Sequence, residues 1–266
     1  MRRLILALMI LSTWVQAAEL SLEIGAVSRS LSSAELLAHP QARWIEIVDD
    51  VSYKRVMRYR AVPLTALLPG INPDDHLQAV AHDGFAAELP ARLLLNRTGA
   101  QPWLAVEDPR APWPPLAPNK ASAGPFYLVW TNPQASRIGA EQWPFRIAQI
   151  RRLPPVEQRF PQLLPAKDAG RQIQAGFAQY QKHCMACHRL NGAGDSRFGP
   201  DLNIPSNPTE YFAGDYLARY IRDPQSVRRW PQGRMPRFDN SLLSDGELAQ
   251  LLAYLAHMAG RKVLAP

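Results

Sequence analysis

Five consecutive residues, Cys184-Met185-Ala186-Cys187-His188, constrain this chain more than any other stretch, and they contain its only two cysteines. Thiols three positions apart on one helical face can each add to a vinyl group of a porphyrin, and the next residue aims an imidazole at the iron. The C-x-x-C-H spacing predicts one haem c, covalent through Cys184 and Cys187, with His188 as the proximal metal ligand. C-x-x-C alone would also serve a dithiol redox pair or half of a zinc site. Zinc would need two more ligands, and His183 and His188 adjoin the thiols too closely to complete a tetrahedron with them. A thioredoxin-like pair would follow a strand, whereas the residues before Cys184 read as helix.

The 266-residue length suggests about two domains, and the 47% hydrophobic content is enough for real cores. Met1-Arg2-Arg3 followed by Leu4–Leu11 has the charged and apolar regions of a secretory signal, with small residues for cleavage at Ala17 or Ala18. Residues 1–18 are therefore expected to be a signal peptide. The apolar run is too short for a span, so no stable membrane span is expected after signal cleavage. Thioether bonds would consume both thiols, which suits an oxidising compartment, and the periplasm is the expected location. The net charge is +7, two of it on Arg2 and Arg3 and most of the remaining excess beyond residue 153. No basic run carries interleaved aromatics, so nucleic acid is not an expected partner. A redox partner protein is: a periplasmic dehydrogenase, an oxidase or another cytochrome.

Residues 19–153 carry mixed α/β signals. Strands are expected over 21–27, 44–48, 54–60, 77–81, 85–89, 103–106, 126–130 and 147–152, with short helices over 34–38 and 63–68. His82-Asp83-Gly84 reads as the turn of a hairpin, and a proline-dense loop runs from Pro109 to Pro118. The segment Lys54–Leu68, with Arg60-Ala61-Val62-Pro63-Leu64-Thr65-Ala66-Leu67-Leu68, is similar to one found in the sulfite-oxidase-type molybdopterin domain. His82-Asp83-Gly84-Phe85 with Glu88-Leu89-Pro90, Trp103–Val106 and Gly124–Val129 resemble later parts of that fold. The resemblance implies an α+β domain. That family holds molybdenum through a cysteine, and no cysteine precedes Cys184. The expectation is a version without molybdopterin, used for docking or substrate binding. His39, His76 and His82 lack metal-ligand spacing and read as solvent-facing. Asp49-Asp50 and Asp74-Asp75 read as turn markers, and Trp103, Trp113, Trp130 and Trp143 as packing. Residues 154–168, with Pro154-Pro155, Pro161 and Pro165, read as a semi-rigid linker.

From Ala169 to about Met258 the chain resembles a class I cytochrome c, and residues 169–266 are expected to form one all-α domain. Arg171–His183 and Glu247–Met258 read as its first and last helices, and Ser244 with Glu247 as a capping box. The resemblance implies that Gly176 marks their close crossing and that a helix over 211–223, ended by Pro224, closes over the ring. It also places Gly199 and Pro200 in a loop whose Pro200 carbonyl accepts a hydrogen bond from His188. Met235, on the proline-held segment Gly233–Phe238, matches the family's distal-ligand segment. Met185 lies on the proximal side, and Met258 and His257 lie at the end of the last helix. His188 and Met235 are thus the expected iron ligands, with no catalytic residue. Arg228, Arg229, Arg234 and Arg237 surround Met235 in sequence as a basic face. The expected function is electron transfer by a monohaem protein. Its rival is a haem-containing dehydrogenase, an oxidoreductase whose first domain oxidises a small substrate and passes electrons to the haem.

Overall fold

The computed structural model describes residues 17–263. The expected signal peptide falls almost wholly outside them. In chain order the strands are β1 (Glu19–Ile24), β2 (Val27–Ser32), β3 (Arg43–Ile47), β4 (Met57–Pro63), β5 (His76–Ala81), β6 (Ala86–Pro90), β7 (Gln101–Val106), β8 (Phe126–Thr131) and β9 (Ile147–Leu153). The helices are α1 (Ser33–Leu37), α2 (Leu64–Leu67), α3 (Ala91–Leu94), α4 (Val156–Arg159), α5 (Arg171–His183), α6 (Pro208–Tyr211), α7 (Tyr216–Arg222), α8 (Pro224–Val227) and α9 (Asp245–Ala259). Short 3-10 turns occupy Pro133–Ser136, Ala140–Gln142 and Pro161–Leu163.

The strands form two sheets, ordered β2-β1-β9-β5-β6 and β3-β4-β7-β8. Among the described residues, only the β1–β9 pairing is parallel. Both sheets bury one face in a common core that includes Leu20, Leu77, Tyr59, Leu104, Leu128 and Ile150. β4 alternates as its sequence does, with Met57 and Tyr59 inside and Arg58 outside. β8 is a continuous apolar run because Phe126–Trp130 are all buried.

One expected strand, over 21–27, is in fact the corner of a hairpin. Gly25 takes φ +64, which favours glycine, and β2 returns antiparallel with Ile24 opposite Val27. β2 gave no signal because Val27–Ser30 are exposed on an edge, with no apolar alternation. At α1, Ser32 accepts from the Glu35 backbone at 3.2 Å while Glu35 reaches back to the Ser32 N–H at 2.7 Å, a complete capping box.

A second core gathers Phe177, Tyr180, Leu217, Ile221, Leu251 and Leu255. Val156 and Leu163 belong to it, so the proline-rich segment is no free spacer. It folds as α4 and a 3-10 turn, and Leu163 O accepts from Tyr254 Oη at 2.7 Å. α5 and α9 cross at Gly176, where an added Cβ would lie 2.7 Å from Tyr254 Cβ and collide with the backbone of Gln250. The helix expected over 211–223 divides, because Gly214 turns at φ +56. Pro224 opens a further turn, α8, capped by Asp223, which accepts from Gln225 N at 3.0 Å.

Candidate haem site

α5 stops at His183, so Cys184–His188 form the turn that follows rather than a continuation of the helix. The turn stays helical in reach: Cys184 N–H donates to Tyr180 O at 2.9 Å and His188 N–H to Cys184 O at 2.8 Å. Both thiols therefore remain within one turn, and they are not joined as a disulfide. Burial, then the Glu141 carboxylate, pushes Cys184 far above the usual thiol range and Cys187 up to about 12. Dithiol oxidants need acidified thiols. These two are shifted the other way.

His188 is held from two directions. Its Nδ1 donates to Pro200 O at 2.8 Å, leaving Nε2 with no hydrogen bond among the described residues. Burial lowers its pKa and favours the neutral imidazole that a metal requires. Gly199 lies flat against the ring. A Cβ there would stand 2.6 Å from Nδ1 and 3.0 Å from Nε2, so no larger residue fits. Gly199 N–H also donates to Cys187 O at 2.7 Å, tying this loop to the cysteine turn.

Asp201, unmarked by any sequence pattern, is the keystone of the loop. Its carboxylate accepts from the backbone N–H groups of Asn191, Gly192, Asn203 and Ile204 at 2.7 to 3.1 Å. Buried Asn191, Asn203 and Asn207 continue the support. Asn203 donates to Asn191 Oδ1 at 2.7 Å and Met258 O at 2.8 Å, and Asn207 donates to Leu255 O at 3.0 Å. Asn203 and Asn207 thus fasten the loop to the end of α9, with Asn191 bracing Asn203.

Met235 is half-buried and packs on the second core. It sits on a strap without regular structure that runs to Ser244. Arg222 holds that strap, donating to Phe238 O at 2.8 Å and to Leu243 O. Met185 and Met258 are buried in the second core, and His257 Nε2 accepts from Ala166 N at 3.0 Å. Arg228, Arg229, Arg234 and Arg237 are exposed as expected, with Arg234 over the Phe198 ring at 5.2 Å. Sequence reasoning passed over Arg222, the arginine that does the holding.

The first domain reaches this site along a polar seam. Gln78, fully buried on β5, donates to Glu88 Oε1 and Asp195 Oδ2, both at 2.7 Å. Arg159 bridges the same two carboxylates at 3.0 and 2.6 Å. His76 is not solvent-facing; it pairs with Glu88 and is largely covered. At the tip of the β5–β6 hairpin, Phe85 meets Phe198, the residue before Gly199, edge to face at 6.0 Å. Asp50 does mark a turn, accepting from Ser52 and Tyr53 N–H. It is also buried, and takes the Tyr59 and Tyr127 hydroxyls at 2.8 and 3.3 Å.

Among the described residues, no three His, Cys, Asp or Glu side chains gather as ligands for a free metal ion. The unpaired thiols, the anchored imidazole with Nε2 to spare and the glycine cradle behind it fit a haem c. The geometry therefore defines a haem-binding electron-transfer domain. Residues 173–259 match the family model described as Cytochrome c, and this part of the chain is a cytochrome c domain. No curated protein matches the chain. No helix of the described residues is long and apolar enough to cross a membrane.

Proposed function

We propose that the chain is a periplasmic electron carrier with one haem attached through Cys184 and Cys187 and ligated by His188 and Met235. The observation that carries this reading is the His188 clamp: Nδ1 on the Pro200 carbonyl, Gly199 behind the ring and a neutral Nε2 left over. When bound, the haem supplies a one-electron couple between ferric and ferrous iron. The chain's residues orient it. The Pro200 carbonyl fixes the tautomer and raises the basicity of His188. A thioether from Met235 would favour the ferrous form and fill the sixth position, leaving no vacancy for dioxygen chemistry. Leu217 and Ile221, buried on α7 in the core that Met235 packs against, would help keep water from a bound haem.

The N-terminal domain is read as a sulfite-oxidase-like scaffold without molybdenum, serving to dock a redox partner or bind a substrate. The segments that resemble that fold fall on β4 with α2, on the β5–β6 hairpin and on β7 and β8, all around one core. The hairpin tip contacts the loop behind His188, which favours a scaffold that works with the haem domain.

The deciding measurement is the molybdenum-to-iron ratio of full-length protein matured in a periplasm that supplies both cofactors. Iron near one per chain with no molybdenum is expected. Stoichiometric molybdenum would make the chain a self-contained dehydrogenase, and absence of iron would overturn the haem assignment.

A further inference from the structure

Resting on Met235 as the distal ligand, we infer that Arg137 of the N-terminal domain is a positioning residue that holds the Met235 strap in place across the domain seam. Met235 to Ser244 contains no helix or strand, so the strap's position depends on tertiary bonds. Phe238 N–H donates to Ile221 O at 3.2 Å, and two guanidinium groups supply further bonds. Arg222 comes from the haem domain itself and grips Phe238 and Leu243. Arg137 comes from the other domain and grips the far end. Its Nε donates to Ser241 O at 3.2 Å and its Nη2 to Leu242 O at 2.9 Å.

The same fork binds both carboxylate oxygens of Glu247, with Nη1 at 3.0 Å from Oε1. Glu247 is also the residue that caps α9, accepting from Ser244 N–H at 2.8 Å. One side chain therefore joins the end of the strap to the start of the last helix. Arginine suits this task because a planar fork can satisfy two carbonyls and a carboxylate at once, whereas a lysine ammonium is a single point charge. Arg137 is itself set for the reach, with a left-handed backbone at φ +51 and its N–H on Gln134 O at 3.1 Å.

Without the fork, the strap would keep Arg222, the Phe238 N–H bond to Ile221 O at 3.2 Å and the buried Phe238 and Leu243 side chains, but it would lose its hold at Ser241 and Leu242, and Met235 would leave the iron more readily. A residue that only glued the domains together would affect stability but not the sixth ligand, and the two roles separate experimentally. In full-length holoprotein, wild type is compared with Arg137→Ala and Arg137→Lys in the ferric state. The readouts are the far-red absorption of methionine-ligated ferric haem, the affinity for added imidazole and the reduction potential. Loss of one charge-assisted contact predicts about tenfold tighter imidazole binding in Arg137→Ala, with a lowered potential and an intermediate shift in Arg137→Lys. Wild-type imidazole affinity and potential in Arg137→Ala, even with a lower melting temperature, would overturn the inference while leaving the ligand assignment intact. A wild type lacking the methionine absorption would overturn the ligand assignment and the inference with it. If Arg137→Ala yields no folded holoprotein, Arg137→Lys decides by the same readouts, an unshifted affinity counting against the inference.

Discussion

Nδ1 of His183 donates to Oε1 of Glu141 at 2.8 Å, and the pair is buried in the seam between the two domains, one residue before Cys184. Their outer atoms, Nε2 and Oε2, make no hydrogen bond to the described residues, so each group depends on the other for compensation. Glu141→Ala is expected to lower the unfolding free energy by about 2–4 kcal/mol, because it strands a buried imidazole. Joint replacement of Glu141 and His183 by apolar residues should cost less than the two single changes together. Denaturant unfolding of the four proteins, run as a double-mutant cycle, measures the coupling. Strict additivity would show that the pair contributes no interaction energy.

Gly199→Ala tests the cradle behind His188. Its methyl would stand 2.6 Å from Nδ1 and 3.0 Å from Nε2 of the ring, so the ring or the loop must move. The expected result is a lost or weakened Pro200 hydrogen bond, seen as a shifted reduction potential together with about 1–3 kcal/mol of lost stability from overpacking. A potential and melting temperature equal to wild type would refute this account of the glycine.

Gly176→Ala acts at a distance from the site, through the frame. The added Cβ would meet the Gln250 backbone and lie 2.7 Å from Tyr254 Cβ, neither of which is a flexible chain end. Separation of α5 from α9 should cost about 3 kcal/mol, read as a lower melting temperature of the haem domain.

Acid should loosen the seam. The Arg137 fork, followed by the Ser244 hydroxyl and N–H, pulls Glu247 down from its ordinary 4.5 to about 2 in the folded chain. Because the folded value is the depressed one, the contribution is present above pH 4.5 and is lost as pH falls toward 2. The pair is partly solvated, so the effect is modest. Unfolding titrations from pH 6 down to about pH 2 should show a shallower loss of stability in Glu247→Gln than in wild type. Parallel curves would exclude the linkage.

The thioether assignment has its own control. Cys184→Ala or Cys187→Ala should retain haem through one bond, whereas the double variant should lose it on a denaturing gel stained for haem.

Much of the chemistry was set locally, and so could be read from the sequence. The roles proposed for Cys184, Cys187 and His188 rest on spacing within one turn. Ser244 with Glu247, Ser32 with Glu35, and the glycine at the tip of the β5–β6 hairpin act over three residues or fewer. Eight of the nine strands among the described residues carried enough apolar pattern to be found, because both sheets press one face into a common core. β2 did not, because a polar edge strand buries nothing that would pattern it. The tertiary structure alone decided what surrounds the haem site. Gln78 meets Asp195 across 117 residues of chain, Arg137 meets Glu247 across 110, and His183 meets Glu141 across 42. No periodicity links such pairs. Each residue alone reads as an ordinary surface polar group, and only the docking of two separately cored domains brings them together, where an unpaired charge would be costly and a paired one sets geometry.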